Sequence, residues 1–574
     1  MNYRENYNRW LAEKSVSEEL KAELRAIANN EDEIKYRFSD YLSFGTAGLR
    51  GKMLAGTNAM NVHTVAHASQ GFANLINQEG EEAAKRGVAI AYDSRNNSVL
   101  FSKVAAEVFA ANGIKTYFFE SLRPTPVLSF AIRHLGCIGG VNVTASHNPK
   151  EYNGYKAYWE DGAQLPPEHA KIVSASIKST DIFDGVKRID FDAAVESGIV
   201  EIIGTIVDDE YIKNVTAQLV DPSVIPAVAD DLRVVYTPLH GAGHRLAPEV
   251  LRLCGLKHLY TVHEQMVLDG NFPSVVSPNP EHPAALELGT KLAKQVDSDL
   301  VIGTDPDADR AGVMVRKKDG TFVPMTGNQI GALLLEYIIT AYENTGTMPT
   351  SPYAVKTIVT SEICTKICQS HNVDLFNVLT GFKFIGEVIK NHDDIGKGHY
   401  LFGFEESYGY LKGTYARDKD SIVAVMLIVE MAAYYKAKGM SLYGALCAMY
   451  EKYGYYKERT LNLVFDGFDA AERMSSFMQK IRASVPEEIG GKKVLAIRDY
   501  LAETVTDLAT GKVTGTGLPA SDVVYFELED ANVIVVRPSG TEPKVKIYFL
   551  LNGESSEECE ALMSACSATV ELWK

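Results

Sequence analysis

A chain of 574 residues is long enough for several domains, ~3–5 by length alone. Its formal net charge of -17 argues against nucleic acid or an anionic membrane as the main partner, although a locally positive cleft can still take a phosphorylated small molecule. Seven cysteines are too few for a disulfide framework at this length.

Residues 1–40 read as polar and helical. Ser15 and Glu18 have capping-box spacing, and Leu20, Leu24 and Ile27 fall on one face, as expected of an extension packed on the body. Its start, Met1-Asn2-Tyr3-Arg4-Glu5, carries no apolar signal region, so a reducing, cytoplasmic setting is expected. The Gly-rich stretch Phe44-Gly45-Thr46-Ala47-Gly48-Leu49-Arg50-Gly51 lacks the spacing of both dinucleotide and P-loop motifs. His63 and His67 are four apart with no third ligand in view, and read as structural. One theme then repeats: a helix, a short apolar strand, a polar loop. Residues 88–92 lead into Asp93-Ser94-Arg95, and 141–143 into Thr144-Ala145-Ser146-His147-Asn148-Pro149. Residues 234–236 lead into Thr237-Pro238-Leu239-His240-Gly241, and 300–302 into Asp305-Pro306-Asp307-Ala308-Asp309-Arg310. Residues 401–404 lead into Glu405-Glu406-Ser407-Tyr408-Gly409. Strands alternating with helices predict α/β domains, and the repeated order is consistent with duplicated units. Cys364 and Cys368 share a helix face but lack zinc partners, and read as ordinary thiols. The longest apolar run, 422–429, meets Glu430 far short of a membrane span. In the tail, strands at 533–536 and 545–549 flank Arg537-Pro538-Ser539-Gly540-Thr541-Glu542-Pro543-Lys544, with helical segments outside them, as in a small α+β domain.

The loops carry the chemistry. Open α/β sheets place their chemistry at strand ends, so Ser146 is positioned to carry a phosphoryl group. A lone serine there would be a turn cap, and no G-x-S-x-G elbow is present. His147, Lys150 and Lys156 add a donor and positive charge and favour phosphate. Asp305, Asp307 and Asp309 are hard oxygen ligands suited to Mg²⁺. An EF-hand is excluded, because Arg310 and Arg316 stand where it needs glycine and an acid; a solvated acidic turn is the other reading. Arg310 is placed to follow a phosphate or the substrate. Arg537, Ser539, Gly540 and Thr541 have the composition of a phosphate clamp, and equally of a surface turn. Glu405-Glu406-Ser407 suits sugar hydroxyls, or forms a charged strand-end loop.

Taken in this order, the loops resemble the α-D-phosphohexomutase superfamily from Phe44 through Tyr548, nearest its bacterial phosphoglucomutase/phosphopentomutase branch. The resemblance implies four domains around a central cleft, three related α/β domains with mixed sheets and a smaller C-terminal α+β domain. The expected divisions are a helical extension 1–40, a phosphoserine domain 41–210, a metal-loop domain 211–322, a sugar-loop domain 323–456 and a phosphate-clamp domain 457–574. It implies that Ser146 is phosphorylated and that Asp305, Asp307 and Asp309 hold Mg²⁺ with the serine phosphate as a further ligand. Arg50, His147, Lys156 and Lys419 match catalytic positions. Thr380, Gly381, Glu405 and Ser407 match substrate contacts, and Arg537, Ser539, Gly540 and Thr541 match the clamp for the phosphate not being transferred. The implied activity interconverts glucose 1-phosphate and glucose 6-phosphate through a glucose 1,6-bisphosphate intermediate that also serves as activator. The implied protein is cytoplasmic, a monomer or small homo-oligomer, with a phosphorylated sugar as its partner. The sugar loop has Phe404 inserted relative to the glucose-type G-E-E-S-F-G and lacks the histidine of the dual-specificity G-E-M-S-G-H. That favours glucose over mannose and leaves pentoses open. A phosphopentomutase, a phosphomannomutase and, more distantly, a Mg²⁺-dependent sugar phosphatase are the alternatives.

Overall fold

The computed structural model describes residues 2–46, 48–465, 469–539 and 544–573. They group into two units. One holds the residues up to Met325 with Ile389–Asp394 and Gly409–Gly439; the other holds Thr326–Val388, Ile395–Tyr408 and the residues from Met440 on. Residues 409–439, inside the block expected as a third domain, thus group with the N-terminal half.

Two sheets of similar plan form the first unit. The first runs Leu49–Lys52, Tyr152–Trp159, Gly139–Val143, Val88–Tyr92, Thr116–Phe119, Val200–Ile203. Its last four strands are parallel, and Tyr152–Trp159 and Leu49–Lys52 continue it antiparallel. The second runs Phe322–Met325, Ala311–Arg316, Leu300–Thr304, Arg233–Thr237, His258–Thr261, with three parallel strands and two antiparallel ones. Val88–Tyr92 is buried at every position, as a central parallel strand covered on both faces requires. In each sheet the candidate loop lies where a central parallel strand ends and the chain returns as its antiparallel neighbour. The serine loop follows Gly139–Val143 and the aspartate loop follows Leu300–Thr304. The duplication visible as a repeated order of strands and loops is therefore a duplication of sheet plan.

The apolar run at 422–429 lies in the helix Ser421–Ala437, where residues 421–433 are all buried. A helix apolar all round belongs inside a protein, and this one is capped by Asp420, which accepts from the N–H of Ile422 at 2.7 Å and of Val423 at 3.1 Å. Glu430, fully buried on it, accepts from the N–H of Val220 at 2.8 Å and of Asp221 at 2.6 Å. Among the described residues no helix is long and apolar enough to cross a membrane.

In the second unit, Pro352–Thr357 pairs in parallel with Asp374–Val378 on one side and His399–Glu405 on the other. The C-terminal part is an antiparallel sheet running Tyr455–Val464, Lys544–Gly553, Val533–Pro538, Val524–Leu528, Lys492–Asp499, Thr504–Asp507, Val513–Gly515. Alternation sets its two faces. Ile534 and Val536 pack with Met478 and Met563 from the helices Ala470–Ala483 and Ser556–Glu571. Val533, Val535 and Tyr548 face Ile358, Val359 and Leu379.

The N-terminal segment is three helices, Tyr3–Ala12, Glu18–Ala26 and Glu31–Phe38. Trp10, Leu24, Ile34 and Phe38 form their core, with Leu20 and Ile27 against it, as the spacing of the apolar residues predicts. The capping box expected at Ser15 and Glu18 does not form. Ser17 directly precedes the helix and accepts from Leu20 N–H at 3.3 Å, whereas the Ser15 hydroxyl is engaged by the Glu13 carboxylate at 3.1 Å. The box forms instead between Asn2 and Glu5.

His63 joins this extension to the body, its ring 5.3 Å from those of Trp10 and Phe183. Its Nε2 is buried without a partner among the described residues, and burial pushes its pKa down to about 4. The unfolded chain therefore binds a proton between pH ~6.5 and about 4 that the folded one refuses, so stability is fully present above ~6.5 and falls with pH through that window. At 1.36 kcal/mol per unit the loss is about 3 kcal/mol. We expect His63→Leu to flatten this acid dependence of the urea midpoint for loss of the N-terminal helices; an unchanged slope would assign it to other groups.

Candidate active site

The serine loop is tied down by residues that look unremarkable in the sequence. Thr144 accepts from Ser146 N–H at 2.8 Å and donates to Asp93 Oδ2 at 2.6 Å. Arg95, buried two residues further on, donates to the carbonyls of Ser146, Asn148, Pro149 and Tyr152. Ser146 is thereby held at φ 51°, a left-handed conformation uncommon outside glycine, with 1% of its surface exposed. The Gly-rich loop lies against the returning strand at Gly48, where a Cβ would come within 1.8 Å of the Tyr155 carbonyl oxygen. Beyond it, Arg50 donates to Asn148 Oδ1 at 3.1 Å.

Ser146 Oγ donates to Asp305 Oδ2 at 2.7 Å and accepts from Arg310 Nη1 at 2.6 Å. His147 Nδ1 lies 3.3 Å from Oγ and 3.0 Å from Arg310 Nη1. Arginine only donates, so His147 Nδ1 is an acceptor. Burial, with Arg310 and Arg50 beside it, pushes the imidazole pKa well below its usual value, and His147 is neutral near pH 7.

Three carboxylates face three cations here. Asp305, Asp307 and Asp309 have no exposed surface. Lys156 Nζ stands 2.7 Å from Asp307 and 3.2 Å from Asp309. Lys419 Nζ stands 3.0 Å from Asp309. Arg310 lies 3.3 Å from both Asp305 and Asp309, and 3.7 Å from Glu281. Burial resists ionisation of all three acids. At Asp309 it is outweighed by Lys156, Lys419 and Arg310, which hold the carboxyl well below its ordinary range. At Asp305 burial wins, reinforced by Asp307 and Asp309, and the pKa is well raised. One oxygen from each acid comes within 4.8 Å of the others. Asp307 Oδ1 is buried with no hydrogen-bond partner among the described residues. An orphaned carboxylate oxygen amid converging hard oxygens fits a divalent cation, so this group can hold a metal.

Several supporting residues escaped the sequence reading. Thr125 donates to Asp307 Oδ2 at 3.0 Å and in turn accepts from Asn142 at 2.7 Å. Tyr158, two residues after Lys156 and so on the same strand face, donates to Asp418 Oδ2 at 2.9 Å. Asp420 takes the hydroxyls of Tyr211 at 2.7 Å and Tyr415 at 2.5 Å, and Ser421 donates to the Ala308 carbonyl at 2.5 Å. Lys419 is thus anchored on both sides. Adjacent parallel strands put their C-terminal loops side by side, which is the signal that could have found Asp93 and Arg95.

The first unit therefore brings together Ser146, His147, Arg50, Lys156, the three aspartates, Arg310 and Lys419. The remaining candidates belong to the second. Glu405, 6% exposed, accepts from Gly381 N–H at 2.8 Å, and Thr380 Oγ1 is buried without a partner among the described residues. Ser407 is half-buried, as are Arg537 and Ser539. Arg537 lies opposite Lys546 in the antiparallel pair, and Ser539 N–H donates to the Lys544 carbonyl at 2.8 Å. Gly540 and Thr541 lie outside the described residues.

Four family models match in chain order: phosphoglucomutase/phosphomannomutase α/β/α domain I over residues 41–182, domain II over 209–320, domain III over 326–453, and the C-terminal domain over 481–565. The chain belongs to the phosphoglucomutase/phosphomannomutase family. A phosphoglucomutase of Staphylococcus saprophyticus is 38% identical to this mutase-family chain over 529 residues, 92% of this chain and 94% of the relative. The fold is similar to that of parafusin, a phosphoglucomutase of Paramecium, with a TM-score of 0.67 at 19% identity over 93% of this chain and 94% of that one. It is also similar to a phosphoglucomutase/phosphomannomutase family protein of Burkholderia thailandensis, with a TM-score of 0.64 at 17% identity over 92% and 97%. The family and its four-domain α/β fold, a phosphohexomutase of the isomerase class, are those implied by the order of the loops.

Thr125 orients Asp307 by donating to its Oδ2. Partners of this kind typically cost 10–100-fold in metal affinity when removed. Calorimetric titration of Mn²⁺ should show Thr125→Val binding at least ~10-fold more weakly than the parent. Equal affinity would mean that Asp307 is held by other contacts.

Proposed function

We propose that this enzyme is a phosphoglucomutase that interconverts glucose 1-phosphate and glucose 6-phosphate through a phosphoryl group carried on Ser146. The observation that carries the reading is the placement of the Ser146 hydroxyl, buried between Asp305 and Arg310 at the edge of a balanced set of acids and cations. A serine poised as a simple turn cap needs neither partner. The glucose-type sugar loop around Glu405 and Ser407, and relatives named phosphoglucomutase at 34–38% identity, support glucose as the sugar.

Asp305, Asp307 and Asp309 would hold Mg²⁺, which when bound supplies neutralisation of charge on phosphoryl oxygens. The residues do the rest. In the first half-reaction the P–Oγ bond of phosphorylated Ser146 breaks and a bond to the 6-hydroxyl oxygen of glucose 1-phosphate forms, the hydroxyl proton ending on Ser146 Oγ. The second half-reaction reverses these roles at the 1-phosphate. Asp305 accepts a hydrogen bond from the unphosphorylated Ser146 hydroxyl and is placed to take its proton as Oγ attacks. Arg310 donates to Oγ and keeps a positive charge at the position of the transferring group. Lys156 and Lys419 balance Asp307 and Asp309 and contribute positive charge to the reacting hydroxyl, with Arg50 and His147 beside them. Glu405, Ser407, Thr380 and Gly381 take sugar hydroxyls. Arg537, Ser539, Gly540 and Thr541 take the phosphate that is not being transferred. Glucose 1,6-bisphosphate would prime an unphosphorylated enzyme, and the setting would be cytoplasmic.

A coupled assay with Mg²⁺ and a trace of glucose 1,6-bisphosphate, comparing glucose, mannose and ribose 1-phosphates by kcat/KM, tests the substrate. The expected result is a strong preference for glucose 1-phosphate and loss of turnover in Ser146→Ala. A preference for ribose would make the chain a phosphopentomutase. Inorganic phosphate release without isomerisation would make it a phosphatase, and turnover by Ser146→Ala would remove the covalent step.

A further inference from the structure

Phe272 lies in the segment that follows the helix His263–Met266, and the chemistry at Ser146 gives it no part. It is 2% exposed, and its φ is 48°, a left-handed conformation that a bulky residue adopts only where its surroundings impose it. His240 supplies part of that constraint. Its Nδ1 lies 2.7 Å from the Val267 carbonyl oxygen and its Nε2 lies 2.8 Å from Ser274 Oγ, so one ring bridges the segment on both sides of Phe272. Phe272 N–H donates to the Asp269 carbonyl at 3.1 Å, and Val275 N–H donates to the Phe272 carbonyl at 3.1 Å.

This backbone puts an aromatic face against Arg95, whose Cζ lies over the Phe272 ring, 5.0 Å from its centre. The edge of that guanidinium is already committed. Nη1 and Nη2 donate to the carbonyls of Ser146, Asn148, Pro149 and Tyr152, and Nε lies 3.3 Å from Asp93 Oδ2. The Arg95 side chain has no exposed surface. Only its faces are left, and a guanidinium face is weakly hydrated and stacks on aromatic rings. Three more contacts lay the same segment on the serine loop and its neighbour. A Cβ at Gly270 would lie 2.3 Å from the Asn96 nitrogen, Asn271 Oδ1 accepts from Asn96 Nδ2 at 3.1 Å, and Ser277 Oγ donates to the His147 carbonyl at 3.2 Å.

We propose that Phe272 is a positioning residue for Ser146: by covering the Arg95 guanidinium it keeps water from the donors that fasten the serine loop, and so holds Ser146 Oγ where it reacts. Phe272 acts through Arg95 and not on the reacting atoms. The inference rests on the reading of Ser146 as the phosphoryl carrier. With an aliphatic side chain in its place, water competes for Nη1 and Nη2, the loop carbonyls are released, and the left-handed turn at Ser146 relaxes. Oγ then drifts from Asp305 and Arg310, and a misplacement of about 1 Å can cost ~100-fold in rate.

Steady-state kinetics of the full chain with Mg²⁺ and glucose 1-phosphate, joined to hydrogen–deuterium exchange of the peptide spanning 144–152, test this. Phe272→Leu keeps apolar cover without an aromatic face. It should lower kcat at least ~10-fold with KM changed less than ~2-fold, and the peptide should exchange faster because the loop opens locally. Phe272→Tyr keeps the ring and should recover most of the kcat and the slow exchange. Arg95→Lys removes the guanidinium, and on that background Phe272→Leu should lower kcat less than ~2-fold further, because both changes break one contact. Phe272→Met, equally without a ring, serves if the leucine variant does not fold. An unchanged kcat in Phe272→Leu, a lowered kcat with unchanged exchange of 144–152, or an equal loss on the Arg95→Lys background would each overturn the proposal while leaving the mutase reading intact. A parent that takes no phosphate onto Ser146 would overturn the reading beneath it, and the exchange measurement, which needs no substrate, separates that failure from this one.

Discussion

Everything in the first unit depends on holding three carboxyl groups close together and out of water. An isolated buried carboxylate is too costly to persist as an ion. Asp307 and Asp309 persist because Lys156 comes to both from a strand and Lys419 comes to Asp309 from a loop ahead of a buried helix, while Arg310 of the aspartate loop itself pairs with Asp309 and Asp305. Losing one partner of such a buried set costs about 3–5 kcal/mol, a large share of ordinary domain stability. The balance is uneven, and that gives it chemical use. Asp309 is over-compensated, whereas Asp305 is under-compensated and accepts the hydrogen bond of the Ser146 hydroxyl. A cation and a phosphoryl group complete such a set.

The sheet plan explains how residues far apart in the chain meet. Each α/β sheet of the first unit turns a central parallel strand back on itself as an antiparallel neighbour, and the turn is the functional loop. In the first sheet the returning strand carries Lys156 and Tyr158 on one face, so one strand supplies a cation for the aspartates and an anchor for the loop that holds Lys419. Residues 409–439 group with these sheets because the helix Ser421–Ala437 is apolar on every side and must be covered. Asp420, its cap, is also the acceptor for Tyr211 and Tyr415. Burial of that helix thus places Lys419.

The loops were legible in the sequence because their chemistry is concentrated. Three alternating acids after an apolar strand, and a serine after another, are local patterns. The apolar spacing of Leu20, Leu24 and Ile27 likewise showed a packed helical extension. What stayed hidden depends on long-range pairing. Arg95 fastens the serine loop only because Val88–Tyr92 lies beside Gly139–Val143. Thr125 orients Asp307 from 182 residues away. The cap at Ser17 rather than Ser15 was missed because the two serines compete, and the Glu13 carboxylate takes one of them.

The central claim is that Ser146 carries the phosphoryl group, and intact-mass analysis with peptide mapping addresses it directly. The full chain would be incubated with Mg²⁺ and glucose 1,6-bisphosphate, freed of small molecules, and then exposed to glucose 1-phosphate. The account predicts one added phosphoryl group, mapped to Ser146, that the sugar phosphate discharges. A protein that gains no phosphate, or holds it at another residue or without release to the sugar, would contradict it.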